Sequence, residues 1–283
     1  MNNILVAIDF SDCSINALEH AISIARKGKY DLNMVWVNNP TTTKILLESD
    51  QSGDMVKEVD EQFKKLVVKY KKLLPESQIN YSIREGKVYH QVALEAKEKD
   101  AMLLVAGTHG TSGFEEFWIG SNANKIVTLS PCPVITIRGG IKISRELTRI
   151  LMPIDSTPES RQKASFTSHI ARLFDAEVVV LALYTSGIGA VKDNIDSYAN
   201  QVIRFLEEQN IKCRLETIEA DNIARNTIDY AEKIEANLIS IMTEQETATS
   251  NLWLGPYAHQ TVNHSPIPVL SIHPIDLKIV LGY

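Results

Sequence analysis

Short apolar runs alternate with stretches in which apolar residues recur every three or four positions, from one end of the chain to the other. Ile4–Ile8 is a continuous apolar run closed by Asp9, as expected of a strand buried on both faces of a sheet. From Ser14 to Lys27 the residues Ala17, Ala21, Ile24 and Ala25 fall on one helical face. Leu32–Val37 reads as a second strand. Asp54–Leu74 reads as a long helix with Met55, Val59, Phe63, Leu66, Tyr70 and Leu73 on its inner face. Its lysines at 64, 65, 69, 71 and 72 are then a solvated face. Strands follow at Ile79–Ile83, Met102–Ala106 and Val134–Ile137, with helices near Val88–Lys97 and after Gly120. Strand and helix in strict alternation predict an α/β fold with a doubly wound parallel sheet.

The pattern then restarts. Ile150–Ile154 ends in Asp155 as Ile4–Ile8 ends in Asp9, and Ile24-Ala25-Arg26 recurs as Ile170-Ala171-Arg172 at the same distance from the aspartate. Trp118-Ile119-Gly120 is matched by Trp253-Leu254-Gly255, and Ser130-Pro131-Cys132-Pro133-Val134 by Ser265-Pro266-Ile267-Pro268-Val269. Four matches in the same order mean a duplication. The expected domains are residues 1–140 and 147–276, with the seam running from Gly139-Gly140 to Leu147. The offset between copies falls part-way along, which predicts a shorter second-helix region in the second copy.

After the fourth strand of the first copy stand Gly107, Gly110, Gly120 and Ser121. Such a strand end is the usual ligand side of an α/β sheet. Glycine lets a phosphate approach the main chain, and a helix opening at Gly120-Ser121 offers free N–H groups and a positive dipole end. The same glycines also suit a tight turn, and Asp9 also suits a helix cap with Ser11. The spacing Gly-x2-Gly-x9-Gly-Ser resembles the ATP-binding signature of the universal stress protein family. Together with the aspartate after strand one and the Ser-Pro-x-Pro-Val entry to strand five, the resemblance spans the chain twice.

That resemblance implies two five-stranded parallel sheets flanked by helices, Rossmann-like and similar to the adenine nucleotide alpha hydrolase type. It implies ATP, with magnesium, in the first copy. Its phosphates would be held at Gly107, Gly110, Gly120 and Ser121, with Asp9 near the nucleoside or the magnesium and Val37 against the adenine. Ala7 and Asn122 complete the set, and Gly86 stands where the family often has a glycine near the ligand. It further implies an unidentified protein partner and pairing of the two copies through Val134–Ile137 and Val269–Ile272, leaving open a homodimer of whole chains.

Aligned through Gly255, the second copy carries Met242 for Gly107, Gln245 for Gly110 and Pro256 for Ser121. Side chains then stand where a phosphate needs bare backbone, and proline removes one N–H. The second copy is expected to lack the cradle. Composition narrows the function classes further. A net charge of −6 opposes a protein that coats nucleic acid. No apolar run approaches a membrane span and no signal segment opens the chain, so a cytoplasmic location is expected. Cys13, Cys132 and Cys213 are far apart and form no metal or disulfide pattern; they are expected to be buried thiols. His259 and His264, five apart, miss the spacing of helical zinc ligands.

No P-loop, metalloprotease, hydrolase or dinucleotide motif is present, and Ser121 has no base spaced to activate it. A nucleotide-responsive regulatory protein of the stress response is the expected function, with no catalytic residue assigned. A slow ATPase or adenylate-transfer enzyme, and a binding module for another small ligand, are the alternatives.

Overall fold

A computed structural model of the chain describes residues 3–39, 52–108, 121–138, 145–243 and 254–274. The chain divides into two compact units, Met1–Gly140 and Ile141–Tyr283. In the first, the elements run β1 Asn3–Ala7, α1 Asp12–Gly28, β2 Asp31–Asn38, α2 Ser52–Lys71, β3 Ile79–Glu85, α3 Val88–Glu98, β4 Ala101–Gly107, α4 Ser121–Leu129 and β5 Val134–Ile137. All strands are parallel, in the order β3-β2-β1-β4-β5. The second unit runs β6 Arg149–Ile154, a short 3-10 turn Pro158–Arg161, α5 Ala164–Phe174, β7 Glu177–Tyr184, α6 Gly189–Glu208, β8 Cys213–Glu219, α7 Ile223–Lys233, β9 Leu238–Met242, α8 Pro256–His264 and β10 Val269–Ile272. Its parallel order, β8-β7-β6-β9-β10, repeats the first.

The expected α/β architecture is present in both units, and the duplication reaches the backbone. Lys29 and Asp175 both end the first helix in the left-handed conformation, with φ of 55° and 53°. Asp100 and Glu235, just before β4 and β9, form a second left-handed pair. The central strands are buried on both faces, as their unbroken apolar runs require: Ile4, Leu5 and Val6 in β1, Leu103, Leu104 and Val105 in β4, and Val178–Leu183 in β7. Against the first sheet α1 lays Ala17, Leu18, Ala21, Ile24 and Ala25, the face its periodicity predicts.

Three details differ from the pattern. First, α2 ends at Lys71, and the chain then turns so that Leu74 is buried while Leu73 is 45% exposed; the apolar period outlasts the helix. Second, α2 and α6 are both 20 residues long. The shortening of the second copy falls before the helix, where residues 39–51 of one unit correspond to only 185–188 of the other. Third, Cys13 and Cys132 are buried but Cys213 is half-buried. Desolvation raises the Cys132 thiol to about 11, against a weaker lowering by Ser130.

Candidate functional site

The strand order reverses direction between β1 and β4 in the first unit and between β6 and β9 in the second. The crevice outside the carboxyl ends of these strands is where open α/β sheets take their ligands. Ala7 and Gly107 end two neighbouring strands there, Ala7 opposite Ala106 in the register, and Val37 lies near the end of the next strand out. All three are partly exposed although the strand centres are sealed. The helix from β4 to β5 runs antiparallel to the strands, so the N-terminus of α4, with Ser121 and Asn122, opens on the same edge. Asn122 is exposed. Gly110 and Gly120, with Trp118 and Trp253, lie outside the described residues.

Asp9 follows β1 by two residues. Its Oδ1 accepts bonds from the Ser11 amide at 3.1 Å and the Ser11 hydroxyl at 2.5 Å. The Ser11 hydroxyl oxygen in turn accepts from the Ser14 amide at 3.2 Å and caps α1. Asp155 does the same for Thr157, whose amide and hydroxyl donate to Oδ1 at 2.7 and 2.5 Å. The turn is therefore common to both units, whether or not glycines follow β4 or β9. Oδ2 of Asp9 has no partner among the described residues.

Gly107 has a neighbour that sequence reasoning missed. A Cβ built on it would lie 2.7 Å from Cys13 Sγ, closer than packed atoms come, and 3.1 Å from the Cys13 backbone carbon, tighter than most packed contacts. The end of β4 thus needs glycine because the first turn of α1 crosses it, independently of any ligand. Only the pairing of Gly107 with a residue at its own matched height on α1 could have signalled this, and sequence spacing does not carry it. Gly86 does need its glycine for conformation. Its φ is +131°, and its N–H donates to the Asn38 carbonyl at 2.8 Å, tying the turn before α3 to the end of β2 on the ligand edge. Lys125 of α4 places its Nζ 4.8 Å from the centre of the Tyr89 ring.

In the second unit the corresponding strand end is buried. Met242 ends β9 at 8% exposure, in a strand buried along its whole length. α8 opens with Gly255 as cap and Pro256 in its first turn, with no side-chain cap. The first helix is broken: where α1 begins directly after its cap, the second unit has the 3-10 turn, and α5 starts at Ala164. Lys163, matched to Ala17, points inward at 2% exposure and its Nζ donates to the Ser160 carbonyl. Burial lowers this amine to about 8, against a smaller opposing pull from Asp155.

A sequence model of the universal stress protein family matches this chain twice, over residues 1–138 and 146–273. The universal stress protein YxiE of Bacillus subtilis is 30% identical over 146 residues, covering 48% of this chain and 99% of its own. The universal stress protein MJ0531 of Methanocaldococcus jannaschii is 28% identical over 138 residues, covering 48% of this chain and 81% of its own. Among solved structures, a universal stress protein from Archaeoglobus fulgidus shares the fold over 97% of both chains, with a TM-score of 0.74 at 15% identity. With the family pattern matched in each half and the same fold repeated in each, the chain belongs to the universal stress protein family and carries two of its domains in tandem.

Proposed function

We propose that the first unit binds ATP, with magnesium, at the carboxyl edge of β1, β2 and β4, that the second unit does not, and that the protein is a nucleotide-responsive regulator. The observation that carries this reading is the contrast between two copies of one fold. At the crevice the first unit has partly exposed strand ends and a helix opening, and its sequence carries glycine or serine at 107, 110, 120 and 121. The second carries the buried Met242 at the end of β9 and Pro256 in the first turn of α8. Gly107 adds less than its place in the motif suggests, because Cys13 accounts for it. The weight falls on Gly110, Gly120 and Ser121, which follow β4 and lead into α4.

The chain's part is to bind and orient. Amides at the start of α4 face the phosphates, Ala7 and Val37 offer partly exposed apolar ends of β1 and β2 to a base, and the free Oδ2 of Asp9 suits a phosphate-bound cation. Magnesium, when bound, would screen the phosphate charge. The sequence spaces no general base with Ser121, which is why regulation is favoured over turnover.

The test is thermal unfolding of the whole chain with and without millimolar Mg-ATP, beside Gly110→Glu. At a hundred times its dissociation constant a ligand adds about 2.7 kcal/mol to the domain it occupies. The expected result is a rise in one transition of the wild type and none in the variant. No response in either protein, or an equal rise of both units, would overturn the reading.

A further inference from the structure

The second unit has a groove of about 370 Å³ between the start of α5 and the side of α6 that carries Gln201, Val202 and Phe205, lined also by Ala164, Pro158, Arg161 and Ser165. We infer that this groove is a binding site for a small, flat organic anion, with Arg161 taking the acidic group and the apolar lining taking the ring. It is separate from the nucleotide crevice of the first unit, and nothing in it depends on the glycine motif.

The first unit carries a bridge between its helices at the matching place. The buried positions Val59, Phe63 and Tyr70 of α2 coincide with Ile195, Ala199 and Leu206 of α6, so Lys69 corresponds to Phe205 and Gln62 to Tyr198. Glu19 of α1 corresponds to Ser165 and Ile15 to Arg161. In the first unit the Tyr70 hydroxyl donates to Glu19 at 2.8 Å, bridging α1 and α2. Ser165 and Leu206 cannot make that bond, and the gap between the helices stays open. At the same time an aromatic ring replaces a lysine on its wall, and a guanidinium replaces an isoleucine.

Arg161 is held ready. Its guanidinium lies 4.2 Å from the Tyr198 ring centroid, its Nε donates to the Pro158 carbonyl at 3.1 Å, and its Nη1 donates to Gln201. Nη2 has no acceptor among the described residues. A guanidinium fixed this way loses little freedom on pairing with a carboxylate or sulfonate. The adjoining helix end has the same preference. A continuous helix would bond the Ser160 carbonyl to the Ala164 amide, but Lys163 Nζ takes that carbonyl, so α5 opens at the groove without a side-chain cap. The rim also carries Glu159, an exposed carboxylate that disfavours a second negative group on the ligand. The volume is near the lower end of small-molecule pockets, which suits a body of one or two fused rings.

The whole isotope-labelled protein, titrated with 2-naphthoate and followed by amide NMR, tests this. Saturable shifts are expected at Ala164, Ser165 and Gln201, unchanged by Mg-ATP. Arg161→Gln should weaken binding about tenfold through loss of a charge-assisted bond. Ser165→Glu, at an exposed first-turn position where an acid favours the helix, should abolish binding while leaving thermal unfolding intact. Shifts that do not saturate, that map to the first unit, or that Mg-ATP reverses would overturn the proposal. So would equal affinity in the two variants and the wild type.

Discussion

At Gly107 the space a side chain would need is taken by Cys13, with the sulfur at 2.7 Å and the backbone at 3.1–3.2 Å. Gly107→Ala should therefore destabilise the first unit by about 1–3 kcal/mol, as overpacking does. Thermal unfolding of Cys13→Ala/Gly107→Ala should recover part of the loss, since only the sulfur is relieved. Full recovery would mean that the Cys13 backbone is no obstacle. The aspartate turn permits a cleaner separation of fold from function, because it exists twice. Asp9→Ala and Asp155→Ala each remove an acceptor shared by a backbone amide and a hydroxyl. Each should cost its own unit about 1 kcal/mol, or roughly 3–4 °C. If Asp9 also meets the nucleotide, Asp9→Ala alone should diminish the stabilisation by Mg-ATP. If Asp9→Ala and Asp155→Ala leave the ATP shift equally intact, Asp9 is only a turn residue.

Helix α5 illustrates how one side chain resets an element. Its partner α1 starts at Asp12 under a serine cap, whereas Lys163 turns inward, captures the Ser160 carbonyl and delays the helix to Ala164. The amine falls from an ordinary 10.5 to about 8 because burial penalises its charge. Between those two values the unfolded chain holds a proton that the folded chain has released, so the second unit gains stability as pH rises from about 8 to about 10.5. Below pH 8 both states are protonated and the whole penalty, about 3 kcal/mol, stands. Lys163→Met should raise the denaturation midpoint of the second unit at pH 7 and flatten its pH dependence above 8; an unchanged slope would place the titration elsewhere. The sequence could not announce this. The strands, the helix faces and the duplication are legible because they are local and periodic, and they recur at fixed offsets. Lys163 sits in a stretch whose matched copy is an ordinary amphipathic helix, and its inward turn depends on the carbonyl three residues back. The open groove is equally illegible, since it follows from the loss of a Tyr70–Glu19 bond between residues 51 apart. Of the candidate site, the edge and the helix opening were readable, but the role of Cys13 against Gly107 was not.

On the scale of the whole molecule the two units are alike in strand order, in the aspartate turn and in the left-handed caps of Lys29 and Asp175, Asp100 and Glu235, yet unlike at the residues that end β4 and β9 and open α4 and α8. The β6 and β7 cores stay sealed, while Met242 ends β9, Pro256 stands in the first turn of α8 and a groove opens between α5 and α6. On the proposed function, duplication would free one copy from the nucleotide while the other keeps the residues that suit it. The quantity that separates this picture from two equivalent halves is stoichiometry. Equilibrium dialysis of the whole chain against labelled Mg-ATP should saturate at one nucleotide per chain, and Met242→Gly should not add a second. That substitution removes a buried side chain and should cost the second unit about 2–5 kcal/mol, without supplying the Ser121 amide and hydroxyl that Pro256 lacks. Two nucleotides per wild-type chain would mean that bare backbone after β4 is not what holds the phosphate, and the contrast between the copies would lose its meaning.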